Sequence, residues 1–189
     1  FLGRSRKPVE RGYGRKDTGQ FNKDEYVFGI CGAAVLFRRS MLEEIKIDGQ
    51  YFDPDFNLFY DDLDLCWRAY RFGWKAYYVS NAIAYHKRGG TTQTKPPRIS
   101  LLSNFYFSYL SSELQANLVK NRYLTIIKND TLKYFIKNFI FIAGYDIKIW
   151  SYILFFRPKI ILQLFKYRGI FRKSLEKRKV ILETLYKLK

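Results

Sequence analysis

The chain has 189 residues, of which 48% are hydrophobic and 19% aromatic, so it can bury a core and is not expected to be disordered. Its formal net charge of +17 is unevenly spread: residues 1–119 carry 17 basic and 13 acidic side chains, whereas residues 120–189 carry 17 basic and 4 acidic ones. We therefore expect an acidic partner to meet the C-terminal part.

The chain begins at Phe1 without a leader pattern, from which we expect a piece of a longer protein. Its two cysteines, Cys31 and Cys66, are far apart, and neither has a C-x-x-C partner or zinc-finger spacing to the single histidine. This predicts two reduced, buried thiols in a cytoplasmic protein.

Residues 1–100 alternate short strands and helices after a polar start. The apolar run 26–37 predicts a buried strand, in which Gly29 and Gly32 mark either a bend or a close approach of the backbone. The other predicted elements are a loop at 1–20, a helix starting at the capping box of Ser40 and Glu43, a loop at 51–56, a helix at 61–72 stopped by Gly73, strands at 75–79 and 82–85, and a loop at 89–97. This order favours an α/β unit.

Residues 101–189 are predicted to form a basic, helical extension with helices at 102–129, 131–156 and 159–188. The stretch 135–156 is strongly apolar but includes Lys137, Asp146 and Lys148. Since a membrane-spanning helix has few charges, we expect an amphipathic helix that lies on a membrane surface or against the first half.

A cluster of three carboxylates at Asp61, Asp62 and Asp64 carries the richest local chemistry. Such groups repel one another unless a cation, a metal or a hydroxyl donor lies among them. Carboxylates also suit the first turn of a helix, and Asp64 with Arg68 has the spacing of a common surface ion pair. Asp62 and Asp64 together also mimic an Asp-x-Asp metal pair, although that motif usually ends a strand.

His86 follows the second predicted strand of the pair at 75–85. A lone histidine in such a place is either a solvated or hydrogen-bonded structural residue or a ligand of a divalent ion such as Mn²⁺. The residue by itself leaves both interpretations open.

Several separated motifs, in order, resemble the C-terminal half of family 2 glycosyltransferases, particularly the rhamnosyltransferase-like members. They are the segments 17–21, 29–39, 48–53, 59–68, 73–75 and 84–86. The resemblance implies a partial GT-A domain, which is a Rossmann-like nucleotide-sugar transferase fold, in residues 1–100, followed by the helical extension. The family commonly has Glu-Asp where this chain has Asp61-Asp62.

The resemblance implies inverting transfer of a sugar, rhamnose as a family-level expectation, from a nucleotide diphosphate to a saccharide or lipid-linked acceptor in cell-surface polysaccharide synthesis. Asp62 would be the catalytic base, and His86 a ligand of the divalent cofactor, Mg²⁺ or Mn²⁺. The predicted donor- and acceptor-binding residues are Gly29, Gly32, Asp61, Asp64, Trp67 and Arg68. For Trp67 a place in the core is the alternative, and for Arg68 the orientation of Asp64.

The nucleotide-binding half of the family, with its strand-end Asp-x-Asp, is not recognisable in residues 1–28. The resemblance therefore implies that this chain alone neither binds a nucleotide sugar well nor transfers it. The basic residues at 120–189 predict attachment to the anionic inner face of the plasma membrane. A nucleic-acid-binding module or a noncatalytic membrane-surface module is the alternative, although no nucleic-acid-binding motif is present.

Overall fold

The computed structural model describes residues 2–86, 107 and 110–187. Helices account for 56% of the structure, and the strands of the described part form one two-stranded sheet. The predicted loop at 89–97 lies outside the described residues, as does most of the segment that leads into the third helix.

The first part of the chain contains the sheet and two helices. Strand β1 (Glu25–Val27) pairs antiparallel with β2 (Ala76–Tyr78), with Tyr26 opposite Tyr77. Between them lie α1 (Arg39–Ile45), a 3-10 turn (Pro54–Phe56) and α2 (Asp61–Arg71). The helix at 61–72 and the strand at 75–79 are thus confirmed to within a residue or two.

Three predictions for this part were wrong in detail. The strand expected at 26–37 ends at Val27, and the chain from Phe28 onward is irregular because it follows the surface of α2. Residues 82–85 form no strand. Helix α1 exists, but Arg38 is its N-cap and Ser40 lies inside it, so the capping box does not form.

The second part consists of helices α3 (Ser112–Asn129), α4 (Leu132–Lys137), α5 (Phe139–Phe156), α6 (Lys159–Lys166) and α7 (Arg168–Lys187). The breaks predicted at Asp130 and Arg157-Pro158 are confirmed. Additional breaks at Asn138 and Tyr167 divide the two helices that the pattern had predicted as continuous. The helix predicted at 102–129 does not include residues 110–111, since α3 begins at Ser112. Ser111 is its N-cap, and the Ser111 hydroxyl accepts a hydrogen bond from Leu114 N at 3.3 Å.

Two apolar clusters hold these elements together. Met41 and Ile45 of α1 pack on Leu65 and Ala69 of α2. The second cluster joins α3, α5 and α6 and contains Phe107, Ala116, Val119, Ile149, Tyr152, Ile153 and Ile160. Helix α3 is central, because it also contacts α2 and α7.

Candidate functional site

The predicted base, Asp62, is the second residue of α2 and lies under the irregular segment that follows β1. Its Oδ2 accepts a hydrogen bond from Gly32 N at 2.9 Å, and its Oδ1 accepts one from Leu63 N at 2.7 Å. The side chain is half-buried. Two backbone donors from separate segments therefore fix the orientation of this carboxylate.

Burial raises the pKa of Asp62 above its usual range, and the negative charges of Asp61 and Glu10 add to this effect. The hydrogen bonds from Gly32 and Leu63 stabilise the ionised form and oppose the rise without cancelling it. A carboxylate with a raised pKa is a stronger base, which suits proton removal from a hydroxyl group near neutral pH.

The irregular segment lies directly on α2, and at Gly29 the approach leaves no room for a side chain. A Cβ at Gly29 would be 2.8 Å from Cys66 Cβ, and a Cβ at Gly32 would be 3.4 Å from Asp62 Cβ. Of the two interpretations, a bend or a close backbone approach, the structure favours the second, with α2 as the approached surface. The contact of these glycines with a donor or an acceptor stays a prediction.

Both cysteines are free thiols, and only Cys66 is buried. Burial raises the pKa of the Cys66 thiol to about 11, and Ile30 N lies 3.5 Å from its sulfur. Cys31 is exposed, so its predicted burial was wrong: it lies in the irregular segment rather than in a buried strand.

The loop that leads into α2 has a strained backbone. Asn57, Phe59 and Tyr60 have φ angles of 58°, 70° and 69°, in the left-handed region that few non-glycine residues adopt. Such residues persist where the surroundings impose the conformation, and they cluster at functional sites. Here the strain directly precedes Asp61 and Asp62.

The side chain of Asn121, on α3, is hydrogen-bonded to the backbone of this loop. Its buried Nδ2 lies 2.8, 2.8 and 2.7 Å from the backbone carbonyl oxygens of Phe56, Leu58 and Phe59, which share its two N–H groups. The helical extension therefore sets the geometry of the loop that positions the candidate base.

Asp64 and Arg68 lie in the interior rather than beside Asp62. Asp64 is 0% exposed and accepts from Arg68 Nε at 3.0 Å, from Lys128 Nζ at 2.8 Å and from Asn129 Nδ2 at 2.8 Å. Arg68, also fully buried, donates further to the carbonyl oxygens of Ile45 and Tyr51 at 2.6 and 2.7 Å. The pair predicted from spacing exists, but in the core rather than on the surface.

This arrangement assigns the neighbouring carboxylates different surroundings. Both oxygens of Asp64 are engaged inside the protein, which does not suit the Asp62-x-Asp64 metal pair. The cations that relieve the repulsion in the cluster are Arg68 and Lys128. Ligand contacts of Asp64 and Arg68 stay predictions, and the structure gives both residues a role in holding α2 against α3.

Trp67, Asp61 and His86 occupy three different settings. Trp67 is buried, with its ring 6.2 Å from that of Phe28, which fits the core interpretation. Asp61 is partly exposed beside Asp62. His86 is exposed in an irregular segment at the end of the first described range.

The described residues do not by themselves form a metal centre. Within 2–86, 107 and 110–187, no three His, Cys, Asp or Glu side chains are grouped so that they could hold an ion. His86 thus contributes one exposed imidazole.

Sequence reasoning missed Asn121, Lys128 and Asn129, whose side chains contact residues 62 or more positions away in the sequence. The sequence held only an indirect signal for these contacts: the carboxylate cluster at 61–64 needs cations near it, and the segment that forms α3 carries several polar side chains. Comparison of the chain with family models, with curated proteins and with solved structures gives no match in any of the three.

Proposed function

We propose that the chain is the acceptor-side part of an inverting glycosyltransferase, with Asp62 as the general base. The observation that carries the proposal is the setting of Asp62: a half-buried carboxylate with a raised pKa, oriented by Gly32 N and Leu63 N and preceded by a strained loop. The ordered motifs that resemble family 2 glycosyltransferases supply the reaction class.

In this proposal Asp62 takes the proton of the acceptor hydroxyl while the oxygen attacks the anomeric carbon. A carboxylate has about four lone-pair positions, so two backbone hydrogen bonds leave room for the substrate proton. The bond to the nucleoside diphosphate breaks as the new glycosidic bond forms. A single displacement with one base inverts the anomeric centre.

The proposed donor is a nucleotide sugar, with rhamnose as the sugar, and the proposed acceptor is a saccharide or a lipid-linked saccharide of a cell-surface polysaccharide. A divalent ion, Mg²⁺ or Mn²⁺, would neutralise charge on the leaving diphosphate. His86 is its proposed ligand from this chain, and the rest of the ion's coordination and the nucleotide site are proposed to come from a second half of the domain.

The test replaces Asp62 with Asn in the protein as it occurs in the cell and measures nucleoside diphosphate release from a panel of nucleotide sugars, with cell-envelope saccharides as acceptors. Loss of a general base is expected to lower kcat by about 10²–10⁴-fold. Asp48→Asn is the matched control, since Asp48 is exposed and undergoes the same chemical change.

Folding stability separates this effect from damage to the structure. Because folding raises the pKa of Asp62, the ionised carboxylate destabilises the folded state above that pKa, and the penalty disappears as the pH falls through it. Asn removes this penalty but loses one acceptor, so the free energy of unfolding should change by no more than about 1 kcal/mol. Release at the unaltered rate by Asp62→Asn would exclude Asp62 as the base, and no release by the wild type would favour the noncatalytic alternative.

A further inference from the structure

The outer side of helices α4, α5 and α6 is apolar and exposed. Along α5, Ile140, Gly144, Ile147 and Leu154 recur at helical spacing and are exposed. The face, which we call the apolar face, is defined by these residues together with Leu132, Ile136, Phe155, Leu162 and Phe165, whose exposed fractions lie between 64% and 81%. Exposed apolar groups that concentrate on adjoining helices are typical of an interaction surface.

The opposite side of α5 packs against α3 and α6. Ile149, Tyr152 and Ile153 are buried against α3 and α6. Arg122 Nε of α3 donates to Asp146 Oδ1 of α5 at 2.8 Å. Helix α5 is therefore held to α3 by this apolar cluster and by one ion pair.

By length and composition, α5 is also the one described helix that could cross a bilayer, and 22% of it is buried. Crossing would separate Asp146 from Arg122 and expose the packed cluster of α3, α5 and α6, whereas lying flat keeps both. The structure thus favours an orientation in the plane of an interface.

Exposed basic side chains lie on the same helices and at their ends. They are Lys133, Lys137, Arg157, Lys159, Lys166 and Arg168. A second copy of the same face would bring these exposed basic side chains close to their own copies, so it would meet like-charge repulsion. An apolar face with a basic surround instead matches the acyl chains and phosphate groups of an anionic bilayer.

We propose that the apolar face of α4–α6 lies in the interfacial region of an anionic lipid bilayer, with α5 parallel to the membrane plane. The basic side chains contact lipid phosphates, and the side chains of Ile140 and Phe155 enter the acyl region. This inference does not depend on the transfer reaction, since it uses no residue of the candidate site.

The test is flotation of the full chain with vesicles of phosphatidylcholine, with and without phosphatidylglycerol. The test variant is Ile140→Glu/Phe155→Glu, at two positions that are each 81% exposed, so that folding is unaffected. The control is Leu36→Glu/Ile83→Glu, at positions 99% and 76% exposed in the first part of the chain, with the same change in charge. Circular dichroism verifies that both variants are folded.

We expect the wild type and the control to float with the anionic vesicles, and the test variant to bind at least about tenfold more weakly, since two large apolar side chains no longer enter the bilayer. High salt should weaken binding of all three. Equal flotation of the two variants, or no flotation of the wild type, would overturn the proposal. A dimer in light scattering that the test variant dissociates would assign the face to a second copy, and RNA binding lost in the same variant would assign it to nucleic acid.

Discussion

At Gly29 the backbone passes so close to α2 that a single methyl group does not fit. The added Cβ of Gly29→Ala would be 2.8 Å from Cys66 Cβ, a rigid neighbour inside a helix. Because the segment has to shift to relieve this contact, we expect the free energy of unfolding to fall by about 1–3 kcal/mol, measured by urea denaturation. The shift should also lengthen the hydrogen bond from Gly32 N to Asp62.

Gly144→Ala is the matched control for this substitution. Gly144 is inside α5, and a Cβ there would meet nothing within 4 Å. Alanine should therefore stabilise the protein by about 0.5–1 kcal/mol through helix propensity. Destabilisation of equal size by both substitutions would mean that contact with Cys66 is not the cause.

At the residue scale, the sequence indicated the place of Asp62 but not its partner. The acidic first turn and Gly73 predicted α2 to within one residue, because helix signals are local. The donor Gly32 is 30 positions away, and nothing local links it to Asp62. A glycine pattern predicts close approach of the backbone, but not what it approaches.

At the scale of the elements, α3 acts as the support of the α2 region. Its buried polar side chains reach the strained loop, and Asn121 contacts three of the loop's carbonyl oxygens. Such contacts compensate backbone strain that the loop could not sustain alone. The strain and its support thus lie on elements that are more than 50 residues apart in sequence.

Replacing Asn121 with Ala should release this loop. The carbonyl oxygens of Phe56, Leu58 and Phe59 lose a side-chain donor, so we expect a loss of about 2 kcal/mol in the free energy of unfolding. Hydrogen exchange should show faster exchange confined to residues 57–63, because the left-handed conformations there are no longer imposed.

Asn117→Ala is the control, one turn earlier on the same helix. Asn117 is buried and its Oδ1 has no hydrogen-bond partner among the described residues. We expect hydrogen exchange at 57–63 to stay as in the wild type. Unchanged exchange in Asn121→Ala as well would contradict the supporting role of Asn121.

Element boundaries failed where tertiary contacts override the local pattern. The apolar run 26–37 reads as a strand, but only Glu25–Val27 has a partner strand, and the glycines beyond it lie on α2. Asn138 and Tyr167 interrupt helices with no proline or glycine at the break itself. Neither position carries a residue that by itself marks the end of a helix.

In the whole molecule, some of the basic side chains of the helical extension are buried in ion pairs instead of facing the solvent. Lys128 Nζ donates to Asp53 Oδ2 at 2.6 Å and to Asp64 Oδ2 at 2.8 Å. Lys177 Nζ donates to Asp53 Oδ1 at 2.6 Å and also pairs with Asp55. Composition located the positive charge correctly but could not divide it between core and surface, which depends on contacts across 64–124 positions. The predicted partial GT-A fold stays a prediction, since a mostly helical structure with two strands does not test it.

The ionic network between Asp53, Lys128 and Lys177 makes stability depend on pH. Burial alone would raise the pKa of Asp53, but the two ammonium groups and Asp55 N outweigh it and lower that pKa from 3.8 to about 2. A pKa lowered by folding stabilises the protein above the unfolded-state value, and this contribution disappears as the pH falls from about 4 to about 2. The shift corresponds to about 2 kcal/mol.

We expect the free energy of unfolding of the wild type, measured in urea, to fall between near-neutral pH and about pH 2. In Asp53→Asn this fall should be smaller by about 2 kcal/mol. The variant should also be less stable at neutral pH by about 3 kcal/mol, because Lys128 and Lys177 lose a buried partner. Asp48→Asn, at an exposed carboxylate, should keep the wild-type pH dependence.

Lys177→Gln is the milder test, since it removes one ammonium group from a side chain that is 13% exposed. It should shift the acid transition toward higher pH without unfolding the protein. An acid transition at the wild-type pH in both Asp53→Asn and Lys177→Gln would mean that other carboxylates control acid stability and that this network does not.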